Sequence, residues 1–120
     1  MLNFINACKE ILKIQNPVEI VLRDRIYKGY LGVHWIEVKD SGKIKCHIIK
    51  ISLKGLEKDY RDFQTILAHE FIHAWQAEYK PFKKIAHNPT FRRMSKFLEN
   101  ELADRGYVVS GIYLPKTDKS

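Results

Sequence analysis

Residues 63–79 read Phe-Gln-Thr-Ile-Leu-Ala-His-Glu-Phe-Ile-His-Ala-Trp-Gln-Ala-Glu-Tyr, and no other segment limits the fold as tightly. Phe63, Ile66, Leu67, Phe71, Ile72, Ala74 and Trp75 recur with a helical period, yet around the centre they cover nearly every side. A helix that is apolar all round is a buried helix. The spacing predicts its end near Tyr79, because Pro81 follows. At its centre stand His69, Glu70 and His73. Polar groups buried without partners are costly, so these three demand partners. His69 and His73 are four residues apart and share one helix face, one turn apart. Two imidazoles placed in this way can ligate one tetrahedral zinc ion. Glu70 directly follows the first of them, completing an H-E-x-x-H pattern. In sites of this kind zinc activates a water, and the glutamate takes its proton and later delivers it to the leaving amine.

The rest of the chain must cover that helix. Ile5, Cys8, Ile11 and Leu12 predict an amphipathic N-terminal helix, stopped by Asn16-Pro17. Three strand-like runs follow, at residues 19–23, 31–38 and 44–53, with Asp40-Ser41-Gly42 as a turn between the last two. They predict a three-stranded, mostly antiparallel sheet. From about Asp59 the period becomes helical. A last helix begins after Asn88, with Pro89 in its first turn. It carries Phe91, Met94, Phe97, Leu98 and Leu102 at three-four spacing to about Arg105, and Gly106 stops it. Sheet and helices are segregated along the chain, which makes the class α+β. The apolar stretch from Tyr107 to Leu114 is expected to dock as an extended strand. The 120 residues amount to one domain over residues 1–114, with 115–120 expected as a loose tail.

A catalytic zinc site needs a third protein ligand and an open fourth position. Gln76 and Tyr79 stand where the metzincin arrangement requires glycine and histidine, which excludes it. Two candidates remain. One is His87, in the loop before the last helix. The other is an acid on that helix, Glu99 or Glu101, in a segment (Asn100 to Asp104) that echoes the third-ligand segment of thermolysin-like enzymes.

His69 to Trp75, followed at this distance by His87-Asn88-Pro89-Thr90-Phe91, resembles the SprT-like family, which pairs HExxH with a downstream histidine. The strand ending Ile51-Ser52-Leu53 is similar to that family too, and the likeness spans roughly residues 18–105. The resemblance implies a zincin-like fold, with His69, His73 and His87 as zinc ligands and Glu70 as the catalytic acid/base. A chain of this kind is expected to hydrolyse peptide bonds, with the substrate pairing as a strand along the exposed edge of the sheet. Two departures stand out. Asn88 replaces the usual glycine, and no zinc ribbon follows the domain.

The chain carries a net charge of +7, a balance that favours anionic partners such as nucleic acid. Between Glu78 and Glu99 there is no acid, while Lys80, Lys83, Lys84, Arg92, Arg93 and Lys96 all fall there, around the candidate third ligand. This interval is either a phosphate-binding footprint or a solvated face. SprT-like relatives include proteases that digest proteins crosslinked to DNA, so the resemblance favours the footprint. His34 and His47 read as structural or surface histidines in strands, and Trp35 and Trp75 as core. An oxyanion-stabilising donor could come from Tyr30, Tyr79, Tyr107, His34 or an arginine. Cys8 and Cys46 are too few for a disulfide framework and read as reduced thiols. No run has the length of a membrane span or the pattern of a signal peptide, so the expected location is the cytoplasm and the expected state a monomer. A nucleic-acid-binding module with a structural zinc site is the rival expectation.

Overall fold

The computed structural model describes residues 1–59, 63–80 and 87–113. Its elements run α1 (Leu2–Ile11), β1 (Val18–Arg23), β2 (Gly32–Val38), β3 (Ile44–Ser52), α2 (Leu53–Asp59), α3 (Phe63–Tyr79) and α4 (Pro89–Asp104). The class is α+β, as the segregated pattern predicts. Among the described residues no helix is long and apolar enough to cross a membrane.

The sheet has the order β1-β3-β2. It is mixed rather than mostly antiparallel, because β3 pairs parallel to β1 and antiparallel to β2. The turn at Asp40-Ser41-Gly42 makes β2–β3 a hairpin, which the sequence announces locally. The partner of β1 is set by tertiary packing, and no local signal marks it. Isoleucines fill the central strand: Ile48, Ile49 and Ile51 are buried there.

Helix α2 is absent from the sequence expectations, which carry strand through Leu53 and begin the helix near Asp59. It is a short helix of about two turns containing Gly55, a poor helix former. Ser52 starts it, its Oγ accepting the Gly55 N–H at 2.9 Å.

Helix α3 is buried along most of its length, in keeping with its all-round apolar surface. Ile66, Leu67, Phe71 and Ile72 are fully buried, and each such side chain contributes about 1.5–3 kcal/mol. That outweighs the cost of enclosing a few polar groups that have partners. One face of α3 lies on the sheet and another meets α4, while α1 packs on both helices. Helix α4 begins as the sequence requires: Asn88 is its N-cap, the Oδ1 accepting the Phe91 N–H at 2.9 Å, and Pro89 occupies the first turn. Gly106 ends it at φ 90°, a left-handed conformation natural to glycine. The segment after it docks, with Val109 and Ile112 buried, but it joins no strand. Leu114 and the 115–120 tail lie outside the described residues.

Trp35 is not core. It lies on the sheet face away from α3, 42% exposed, with the Lys50 ammonium 5.8 Å from its ring. Trp75 packs partly buried against the core.

Candidate metal centre

Helix α3 places His69 and His73 on one face, and the loop ahead of α4 brings His87 against them. The Nε2 atom of His87 lies 3.0 Å from that of His69 and 3.2 Å from that of His73. Two imidazoles bound to one zinc ion in tetrahedral geometry would have their nitrogens about 3.3–3.4 Å apart. The three nitrogens therefore need to spread by only a few tenths of an ångström to hold such an ion.

Each ring on α3 is fixed from behind. His69 Nδ1 donates to the Ile112 carbonyl at 2.6 Å, and His73 Nδ1 meets the Gln76 side-chain oxygen at 2.9 Å. Both partners are acceptors, so Nδ1 carries the proton and Nε2 presents a lone pair. This is the outer-shell arrangement that orients metal-ligating histidines. The His69 and His73 lone pairs both face His87 Nε2, at 3.0 and 3.2 Å, and with the His87 proton on Nδ1 all three nitrogens can ligate one cation. The donor set and its tautomers thus fit a divalent metal. Among the described residues these three histidines form the one cluster whose ligand atoms all lie within 4.8 Å of one another.

The surroundings of the cluster are apolar. The Phe91 ring lies 4.8 Å from the His69 and His73 rings and 5.1 Å from that of His87. His69 and His73 are buried and His87 is half-buried, which leaves the third ligand as the open side. The backbone carbonyl of His87 accepts from the Tyr113 hydroxyl at 3.3 Å.

Glu70 is fully buried and faces the start of β2. A Cβ on Gly32 would sit 2.7 Å from Ile66 Cγ2, 3.2 Å from Glu70 Cγ and 3.3 Å from Glu70 Oε2. Glycine at 32 is what lets the edge strand approach the glutamate this closely.

Glu99 and Glu101 are not in the cluster. Glu99 acts at one remove, its Oε1 accepting the Ile112 N–H at 3.2 Å in the segment that anchors His69. Lys80, Arg92, Arg93 and Lys96 are exposed, the last three on the first half of α4 directly after His87. Lys83 and Lys84 lie outside the described residues.

Three features escape the sequence reading. Gln76 is one: a buried polar residue three positions past His73, it carries a helical-spacing signal that could have identified it. Gly32 and the Ile112 carbonyl carry no such signal, since the fold alone brings them to the site.

Neither a search of curated proteins nor one of solved structures finds a match to the chain. The profile of the SprT-like family, by contrast, matches residues 7–110. That span includes α3, His87 and nearly all the strands and helices that enclose them, and the chain belongs to the SprT-like family.

Proposed function

We propose that the chain is a zinc-dependent metallopeptidase in which His69, His73 and His87 hold the metal and Glu70 is the general acid/base. The observation that carries this reading is the convergence of three imidazole Nε2 atoms beside a buried glutamate one residue from the first of them. When bound there, zinc would supply a Lewis acid that polarises a peptide carbonyl and lowers the pKa of water. The described residues offer three ligands and no fourth, the count of a catalytic rather than a structural zinc site.

Glu70 takes the proton from the attacking water and gives it to the departing amine nitrogen. Phe91 and the rest of the apolar lining keep the dielectric low around this transfer, which strengthens each polar contact. The substrate is an extended polypeptide lying along β2. The Ser52 N–H bonds the Leu31 carbonyl at 2.8 Å, which sets the phase of the β2–β3 ladder. In that phase Val33, Trp35 and Glu37 bond to β3, while His34 and Ile36 turn their backbone groups to the open edge. A substrate strand can pair there.

A second reading, a nucleic-acid-binding module with a structural zinc site, draws on the exposed Arg92, Arg93 and Lys96 beside His87. Glu70→Gln separates the two. Peptidase function requires that it abolish cleavage of an unfolded protein such as casein while zinc binding and folding persist. If wild type and variant both retain zinc and bind single-stranded DNA but neither cleaves any polypeptide, the second reading holds.

A further inference from the structure

Beside the metal centre runs a second chain of polar side chains that the proposed chemistry does not use. The Glu78 Oε2 lies 2.6 Å from His47 Nε2, and His47 Nδ1 lies 2.9 Å from His34 Nε2. Glu78 also accepts the Gln15 N–H at 2.7 Å, and the Asn16 N–H and side-chain amide at 3.1 and 3.0 Å. His47 is fully buried.

The chain has a direction. Burial alone would raise the pKa of Glu78, but the hydrogen bonds from Gln15, His47 and Asn16 outweigh it and hold the carboxyl below its ordinary value. An ionised Glu78 accepts only, so His47 donates from Nε2. With His47 carrying a single proton, on Nε2, its Nδ1 keeps the lone pair and His34 donates to it from Nε2. This leaves His34 with a lone pair at Nδ1. That atom is buried and has no hydrogen-bond partner among the described residues. Burial above all holds the pKa of His34 well below its ordinary value, so the ring is neutral.

Its position follows from two fixed points. Gly32 lies against Glu70, and His47, cross-strand partner of Ile36, bonds Glu78. From Gly32 to Ile36 is about 13 Å of strand, and from Glu70 to Glu78 about 12 Å of helix. The edge strand and α3 therefore run alongside each other in step. That register sets His34, midway along the strand, level with the turn that carries His73 and Ala74. An acceptor left bare in such a place is costly, and sites of this kind are ordinarily satisfied by ordered water.

We infer that His34 is a positioning residue of the proposed peptidase centre: held through Nε2 by the His47–Glu78 pair, it uses its Nδ1 lone pair to fix an ordered water between the edge strand and the His73 turn. The functional part rests on the metallopeptidase reading. The tautomer and the water do not. Glutamine at 34 can keep the Nε2-side link to His47 but loses the Nδ1 acceptor, whereas asparagine restores an acceptor near Nδ1 and loses the link.

The test begins with ¹⁵N imidazole NMR of the zinc-loaded protein between pH 5 and 8. The expected spectrum shows His34 protonated at Nε2 alone, with Nδ1 shifted as a hydrogen-bonded acceptor. A proton on Nδ1, or an Nδ1 signal with no hydrogen bond, overturns the inference. Kinetics supply the second arm. His34→Gln should retain zinc and melting temperature, leave KM within twofold and lower kcat about tenfold, the factor for one lost hydrogen bond. His34→Asn should recover part of that loss. Wild-type kcat in His34→Gln removes the positioning role. If His34→Gln does not fold, the NMR result decides. If the wild type cleaves nothing while Nε2 protonation and the Nδ1 hydrogen bond are seen, the peptidase reading falls and the water site stands.

Discussion

At Gly32 the edge strand packs directly against the Glu70 side of α3. The Cβ of an alanine there would fall 2.7 Å from Ile66 and within 3.3 Å of the Glu70 carboxylate. Ile66 and Glu70 are both fully buried, so the 2.7 Å contact can be relieved only by displacing the edge strand from α3, and Gly32→Ala should disturb the packing around the glutamate while leaving the three histidines in place. The expected outcome is a loss of kcat of tenfold or more, on the order of 1.4 kcal/mol in the barrier, with zinc content unchanged. Steady-state kinetics and metal analysis on the same preparation check it, and equal losses of zinc and activity would contradict it. At the same scale, His34 and Glu78 make stability depend on pH. Both bind a proton more weakly folded than unfolded, so their contribution is present above the unfolded pKa values and is lost as pH falls. For His34 the window runs from 6.5 down to about 3, and for Glu78 it lies below 4.5. The wild type should therefore lose melting temperature between pH 7 and 4 more steeply than His34→Gln. Parallel slopes would show that His34 protonates as freely in the folded protein as in the unfolded chain.

At the scale of elements, α3 was legible from sequence because one strong pattern, apolar on all sides with polar residues at its centre, fixes both its helicity and its burial. Helix α4 was legible from its cap, its proline and its terminal glycine. Helix α2 and the parallel pairing of β1 were not. The first is too short to show a period, and the second depends on residues far along the chain. The centre divides in the same way. His69, Glu70 and His73 lie within one helix and declare themselves by spacing. His87 needed the family resemblance to distinguish it from Glu99 and Glu101, because a ligand from a loop has no period. The Glu78–His47–His34 chain joins residues 31 and 13 positions apart, and only the folded sheet brings them together. The cap of α4 has its own consequence. Asn88 sits next to His87, so Asn88→Ala should cost about 1 kcal/mol, and Asn88→Gly only a few tenths. Denaturant unfolding of the two variants checks the difference; equal losses would mean that the Oδ1 bond to the Phe91 N–H contributes nothing to stability.

The whole molecule reads as a three-layer argument about one helix. The sheet covers the Glu70 side of α3, α4 with Phe91 covers the histidine side, and the segment ending in Ile112 and Tyr113 closes over the ring of His69 and the backbone of His87. Each layer contributes a contact to the candidate metal centre, and the family match spans all three, over residues 7–110. A metal at this centre should bind to the folded chain and stabilise it. The central claim is that His87, and not an acid of α4, is the third ligand. The most direct measurement is zinc per chain in the purified wild type beside His87→Ala and Glu101→Ala. About one zinc is expected in the wild type and in Glu101→Ala, and its loss in His87→Ala. Zinc retained in His87→Ala and lost in Glu101→Ala would contradict it, as would a wild type that binds no zinc even after reconstitution.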